Sequence, residues 1–274
     1  MKMSNRFVRM ERAARGLLAA LVLSVAGLGM ANLASADTVL ITGANSGIGL
    51  ELAKQYAEKN WTVIAVHRRD TTPESLASLS KAHPNVRAEK MDVSNKQQVL
   101  ALANKLKGVP IDVLVNNAGI FCLCDWMEQD NSQRFGTLRY EDFEPIFDTN
   151  VKGTIMVSEA FVENVKASKQ KKIINISSTV GTISTPGTRA FWYGASKAAV
   201  NKITVNLAAV LKPSNVIVVP MHPGAVRVEK QATRQGDQFI ETDFSVRNMI
   251  ATIGKLKISD SGKFTNYDGK ELPW

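Results

Sequence analysis

Histidine and cysteine are scarce in this chain, with three of the first and two of the second in 274 residues. His67, His83 and His222 lie far apart and form no ligand motif, and two cysteines fall short of the three or four ligands a zinc site needs. No metal site is therefore expected, and catalysis by histidine is a poor reading. Cys122 and Cys124 are separated by a single residue, so a disulfide between them would be strained and both are expected to pack as small apolar residues near the rim of a site. The chain also lacks internal repeats, low-complexity tracts and any Pro/Gly/Ser-rich linker, so its length suits one large α/β domain. Excess charge is modest as well. Of the net +9, residues 1–36 contribute +4, through Lys2, Arg6, Arg9, Arg12 and Arg15 against Glu11, and the remaining +5 is interspersed. That pattern excludes a nucleic-acid footprint and fits a solvated surface with a local basic spot for a phosphate.

The N-terminus stands apart from the rest. Five basic residues precede the apolar run Gly16 to Ala31, and Ala34-Ser35-Ala36 supplies a small-x-small cleavage site, the pattern of a secretory signal peptide. The expected organisation is a signal peptide or anchor over 1–36 and a domain over 37–274, exported or membrane-associated. If uncleaved, the segment would anchor the protein with the domain on the far side of the membrane. The alternative is an unused upstream start and a cytoplasmic protein. Residues 1–36 contain no twin arginine, the mark of folded export.

Beyond residue 37, short β-rich runs occur at Thr38 to Thr42, Thr62 to Val66, Val86 to Met91, Ile111 to Val115, Lys172 to Ile176, Val216 to Pro220 and Lys263 to Asn266. Amphipathic stretches lie between them, among them Lys96 to Lys107, Asp142 to Ser168, Ala195 to Leu211 and Ser245 to Leu256. This alternation predicts a doubly wound α/β fold with a mostly parallel sheet of about seven strands, its ligands bound beyond the carboxyl ends of the strands. After the first run comes Thr42-Gly43-Ala44-Asn45-Ser46-Gly47-Ile48-Gly49, a strand-to-helix turn whose glycines let backbone amides and a helix N-terminus approach a pyrophosphate. Further on, Tyr193 and Lys197 stand one helical turn apart, so the ammonium can approach the phenol. A free tyrosine titrates near 10, and a neighbouring cation favours the phenolate.

With the Thr-Gly-x-x-x-Gly-x-Gly spacing and the Tyr193/Lys197 pair in hand, the chain resembles the short-chain dehydrogenase/reductase family from Thr38 to its C-terminus. The landmarks follow in the family's order: the glycine turn, Asp92, Asn116-Asn117-Ala118-Gly119, Asn150, Ser178, Tyr193 with Lys197, and Pro223-Gly224. The ending Gly262 to Trp274 looks like the carbonyl-reductase branch that includes the C-factor and sniffer proteins. The resemblance implies a single Rossmann domain in which Tyr193 exchanges a proton with a carbonyl or alcohol. It implies that Lys197 depresses the tyrosine's pKa and bonds the nicotinamide ribose, that Ser178 holds the carbonyl oxygen, with Ser177 the competing choice, and that Asn150 completes a proton relay. Implied cofactor contacts are Gly43, Asn45, Ser46, Gly47, Ile48, Gly49, Asp92, Asn117, Ala118, Gly119, Tyr193, Lys197, Pro223, Gly224 and Val226.

Cofactor choice falls at the end of the second run, where NAD-using relatives carry an acid. Here His67 is followed by Arg68 and Arg69, and a guanidinium pairs the extra phosphate that an acid would repel. NADP(H) is therefore favoured, with Arg68 the main contact, and NAD(H) is possible. Several features depart from the family. Phe121 to Tyr140 is longer than usual and suits a substrate flap, an oligomer contact or an inert insertion. The spacing from Ser178 to Tyr193 is slightly long, the segment where the resemblance implies a substrate lid, Ala225 to Phe244, is too polar for a large apolar one, and Val228 stands where the family often has a threonine that bonds the cofactor amide. A small-molecule carbonyl or alcohol is the expected partner, and a homo-oligomer is possible. The alternative reading is a non-catalytic dinucleotide-binding sensor or signalling protein on the same fold.

Overall fold

Val39, Leu40 and Ile41 are apolar in succession rather than in alternation, the pattern of a strand covered on both faces, and all three are wholly buried in β1 (Thr38–Thr42). The structure is a computed structural model that describes residues 36–123, 133–187, 189–228 and 239–274. Residues 1–35, with the leader-like segment, fall outside these. So do Cys124, Trp126 and Met127 of the long insertion and 229–238 of the lid. The other strands are β2 (Thr62–His67), β3 (Val86–Lys90), β4 (Val113–Asn116), β5 (Lys172–Ile176), β6 (Ile217–His222), a short pair β7 (Val226–Arg227) and β8 (Ile240–Glu241), and β9 (Thr265–Asn266). Seven of them form one sheet in the order β3-β2-β1-β4-β5-β6-β9, every neighbour parallel. The chain winds outward in both directions from β1, so a crevice opens where β1 and β4 end, the switch point of a doubly wound sheet.

Helices cover both faces: α1 (Gly47–Glu58), α2 (Glu74–Ala82), α3 (Lys96–Lys105), α4 (Phe143–Phe147), α5 (Gly153–Lys166), α6 (Phe191–Leu211) and α7 (Thr242–Lys255). Alternate residues of β1 point to opposite cores. Val39 and Ile41 pack with Leu52 and Tyr56 of α1 and Met249 and Ile253 of α7, whereas Leu40 packs with Leu102 of α3, Phe161 of α5 and Leu211 of α6. Each such large side chain contributes roughly 1.5–3 kcal/mol by leaving water. Buried polar side chains tie the central strands to the helices above them. Asn116 donates to Ser158 Oγ at 2.9 Å and to Asn175 Oδ1 at 2.8 Å, and Asn175 donates to Thr204 Oγ1 at 2.9 Å. Among the described residues, no helix is long and apolar enough to cross a membrane.

Several boundaries differ from the sequence reading. β3 ends at Lys90, so Asp92 lies in the loop beyond, where its Oδ1 accepts from Ser94 N at 2.9 Å and Ser94 Oγ at 2.7 Å. β4 begins at Val113 rather than Ile111. The Asp112 carboxylate turns across the bottom of the sheet to accept from Thr38 N at 2.9 Å and Lys169 N at 3.1 Å. The stretch from Asp142 to Ser168 is not one α-helix. A π-helical turn, Asp148–Lys152, separates α4 from α5. Nor does Cys122 pack as a free apolar residue, for it is disulfide-bonded, while Cys124 lies outside the described residues.

Candidate active site

The glycine turn is built by close approach. Gly43 has φ +65°, and a Cβ there would lie 2.9 Å from Ala118 Cα, while one on Gly49 would lie 2.3 Å from Gly43 O. The turn and the end of β4 are stapled together. Thr42 Oγ1 accepts from Asn117 N and Ala118 N at 3.0 Å each, and Asn117 Nδ2 donates to Thr42 O at 2.9 Å and Gly43 O at 3.1 Å. Asn117 thus holds the turn together with its side chain, leaving the backbone of Ala118 and Gly119 along the crevice. Asn45 accepts from Ser75 Oγ at 2.8 Å through its carbonyl. Ser46 caps none of the first-turn amides of α1 with its side chain, and that turn holds no acid. With Ile48 in the same turn, this arrangement could hold an anionic phosphate at a helix N-terminus.

At the neighbouring strand end, His67 is buried and Arg68 and Arg69 are exposed. Among the described residues Arg68 has no ion pair, whereas Lys90 pairs with Asp70 at 2.7 Å. Across the crevice, Gly224 follows β6 with φ +86°, and Ser245 Oγ donates to Pro223 O at 2.5 Å. Val226 is buried in β7, and Val228 Cγ1 would stand 3.3 Å from a Cβ on Gly47. The valine that replaces the family's threonine therefore sits against the glycine turn.

The remaining landmarks gather beside it. Lys197, buried on α6, donates to Ile176 O at 2.8 Å and stands 5.4 Å from the ring centroid of Tyr193. Asn150 occupies the π-turn, where the extra backbone residue aims its side chain at the end of β4. Its Oδ1 accepts from Ile120 N at 2.8 Å, and its Nδ2 donates to Ile120 O at 3.0 Å and Ser196 Oγ at 3.0 Å. Ser196 in turn donates to Tyr193 O at 2.7 Å. A Cβ on Gly119 would come within 3.2 Å of Asn150 Oδ1 and 3.7 Å of Lys197 Nζ, so the backbone closes on both. The two serines separate cleanly. Ser177 is buried and donates to Asn201 Oδ1 at 2.5 Å, whereas half-buried Ser178 caps the short helical turn Thr179–Gly181 at the crevice.

Burial dominates the electrostatics. Desolvation pushes Tyr193 up to about 12 and Lys197 down to about 8. Desolvation is the cause of the tyrosine's shift, opposite in direction to the depression expected from Lys197. A phenol that keeps its proton at neutral pH is the form a proton donor needs. Desolvation also lowers His222, at the end of β6, to about 4, and its Nδ1 is buried without a partner. Aromatic groups wall the site: Phe121 lies 5.0 Å from the Tyr193 ring, and Trp192 lies 5.2 Å from Phe143. Ser184 N donates to Trp274 O at 2.9 Å, pinning the loop after Ser178. Phe121, Ser196 and Gln133 take part in this arrangement without belonging to any motif, and no period or spacing marks them in the sequence.

A doubly wound parallel sheet with a glycine turn at its switch point, beside a buried lysine and a tyrosine one turn apart, defines a dinucleotide-binding type of fold with a titratable pair at its crevice. Comparison with known proteins agrees. The short chain dehydrogenase family matches residues 37–238, and an uncharacterised oxidoreductase of Schizosaccharomyces pombe is 32% identical over 260 residues, covering 85% of this chain and 96% of its own. The chain belongs to the short-chain dehydrogenase family and is an oxidoreductase of that type. Among solved structures it is similar to the NADPH-bound carbonyl reductase from chicken fatty liver (TM-score 0.78, 28% identity, 87% of this chain and 99% of that one). It is also similar to the carbonyl reductase Sniffer of D. melanogaster (TM-score 0.76, 28% identity, 87% and 100%).

Proposed function

We propose that the protein reduces a small or medium carbonyl compound, or oxidises the matching alcohol, using NADP(H), with Tyr193 as the proton-transfer group. The observation that carries this reading is the gathering of Tyr193, Lys197, Asn150 and Ser178 on one side of a crevice whose other side is the glycine cradle. The cradle fits a dinucleotide: its glycines leave room where a Cβ would collide, the first turn of its helix contains no acid, and Arg68 follows β2 with no ion pair among the described residues. NADPH, when bound, supplies the hydride. Tyr193 gives its proton to the developing alkoxide, and Ser178 donates a hydrogen bond to the same oxygen. Lys197, anchored on Ile176 O, holds positive charge beside the phenol, and Asn150 fixes the chain at Ile120 against α6. The NADP-type cofactor also agrees with the NADPH-bound neighbour from chicken. A panel of aldehydes, ketones and quinones assayed for NADPH consumption tests the proposal. Turnover of at least one supports it, and NADPH binding without turnover of any carbonyl favours a non-catalytic sensor.

Export is a second part of the proposal, resting on the basic, apolar and small-x-small pattern of residues 1–36. The expected mature chain begins at Asp37. Mass spectrometry of protein taken from its native host checks this, and an intact Met1 in soluble cytosol contradicts it.

A further inference from the structure

We propose that Gln133 is a positioning residue for Tyr193. The first three amides of a helix have no partner within it, and here the third belongs to Tyr193 itself. The local chain does not cap them: the residue at the cap is Ala190, in the left-handed region at φ 59°, with no side chain able to accept. All three are satisfied by one distant residue. Gln133 O accepts from Phe191 N at 3.2 Å, and Gln133 Oε1 accepts from Trp192 N at 2.9 Å and from Tyr193 N at 3.2 Å. The amide's other end is also engaged, with Nε2 donating to Phe121 O at 3.2 Å. Phe121 is the residue whose ring stands 5.0 Å from the Tyr193 ring.

Gln133 is 1% exposed, so water does not replace these bonds when they are lost. A single side chain thereby fixes the backbone of the proton donor and the aromatic wall beside it. Gln133 thus acts as a clamp on the start of α6. Its acceptor oxygen serves two helix amides that nothing in the sequence around Ala190 could serve. The inference rests on the reading of Tyr193 as the proton donor, and it assigns a role to the insertion that the motifs leave without one.

The test compares Gln133→Ala, Gln133→Glu and Tyr193→Phe in the full-length protein, with para-nitrobenzaldehyde as the carbonyl probe and hydrogen exchange of the α6 amides as an activity-independent readout. In Gln133→Ala, protection of the Trp192 and Tyr193 amides should fall on the order of ten-fold, as for the loss of one buried hydrogen bond at each. Its kcat should fall by about ten-fold while NADPH affinity stays within about two-fold. Gln133→Glu keeps both acceptor bonds and should restore the amide protection. Should Gln133→Ala not fold, Gln133→Asn carries the same expectation, because it is one methylene too short to reach. Unchanged protection, wild-type kcat, or a parallel loss of NADPH binding in the Ala or Asn variant overturns the inference. If Tyr193→Phe abolishes turnover while Gln133→Ala leaves it intact, only the role of Gln133 is lost. If Tyr193→Phe leaves turnover intact, the reading of Tyr193 fails and the inference with it.

Discussion

Arg68, proposed as the contact for the ribose phosphate, stands immediately after β2, exposed and without an ion pair among the described residues. A charge-assisted contact of this kind is worth about 1.5–3 kcal/mol. Arg68→Ala is therefore expected to weaken NADPH by roughly ten- to a hundred-fold in a fluorescence titration and to leave NADH nearly unchanged. His222 gives a prediction of stability. Burial lowers it from 6.5 to about 4, so the unfolded chain takes up a proton before the folded one does. Stability is thus lost as pH falls from about 6.5 to about 4, by on the order of 3 kcal/mol from this group. Buried His67 is also lowered and adds a loss of the same sign. In urea unfolding at about pH 7 and about pH 4.5, His222→Asn should lose less stability than the wild type. The positions of Tyr193, Lys197 and the glycines were legible because their spacing is local. The different settings of Ser177 and Ser178 were not, because Ser177 is tied to Asn201, which is 24 residues away along the chain.

At the scale of elements, the turn between β1 and α1 is the least tolerant of change. Gly49→Ala would set a methyl 2.3 Å from Gly43 O and 2.5 Å from Asn117 Nδ2, forcing α1 away from the turn. The variant should lose about 1–3 kcal/mol of stability and at least ten-fold in NADPH affinity, read from urea midpoints and a cofactor titration. Most strands were legible, since an apolar run buried on both faces is hard to mistake; β1 and β5 begin and end where the pattern does. The π-turn at Asp148–Lys152 was not. Its sequence has helical character throughout, and only the tertiary bonds of Asn150 to Ile120 and Ser196 repay the extra residue. The short helix α2 went unseen for another reason: in Glu74 to Ala82 only Leu76 and Leu79 are buried, too few to set up a periodic signal. Asp112 delays the start of β4 through bonds to two other segments, and no local pattern encodes those.

In the molecule as a whole, the sheet order follows from the alternation of strands and helices, and the site follows from the sheet order. β1 and β4 are adjacent although more than sixty residues separate them, and this brings the glycine cradle against Ala118 and Gly119. β5 and α6 then complete the crevice with Ser178, Tyr193 and Lys197. The insertion around Gln133 has no such regularity, so its contact with the start of α6 is visible only in the folded chain. The central claim is that this assembly delivers a proton from Tyr193 to a carbonyl oxygen. Its most direct test is turnover of Tyr193→Phe on a carbonyl that the wild type reduces, with NADPH affinity measured on the same preparation. The substitution keeps the ring against Phe121 and removes only the hydroxyl, so affinity should hold while kcat falls by about 10² to 10⁴. A variant that binds NADPH normally and reduces the same compound at close to the wild-type rate would contradict the account.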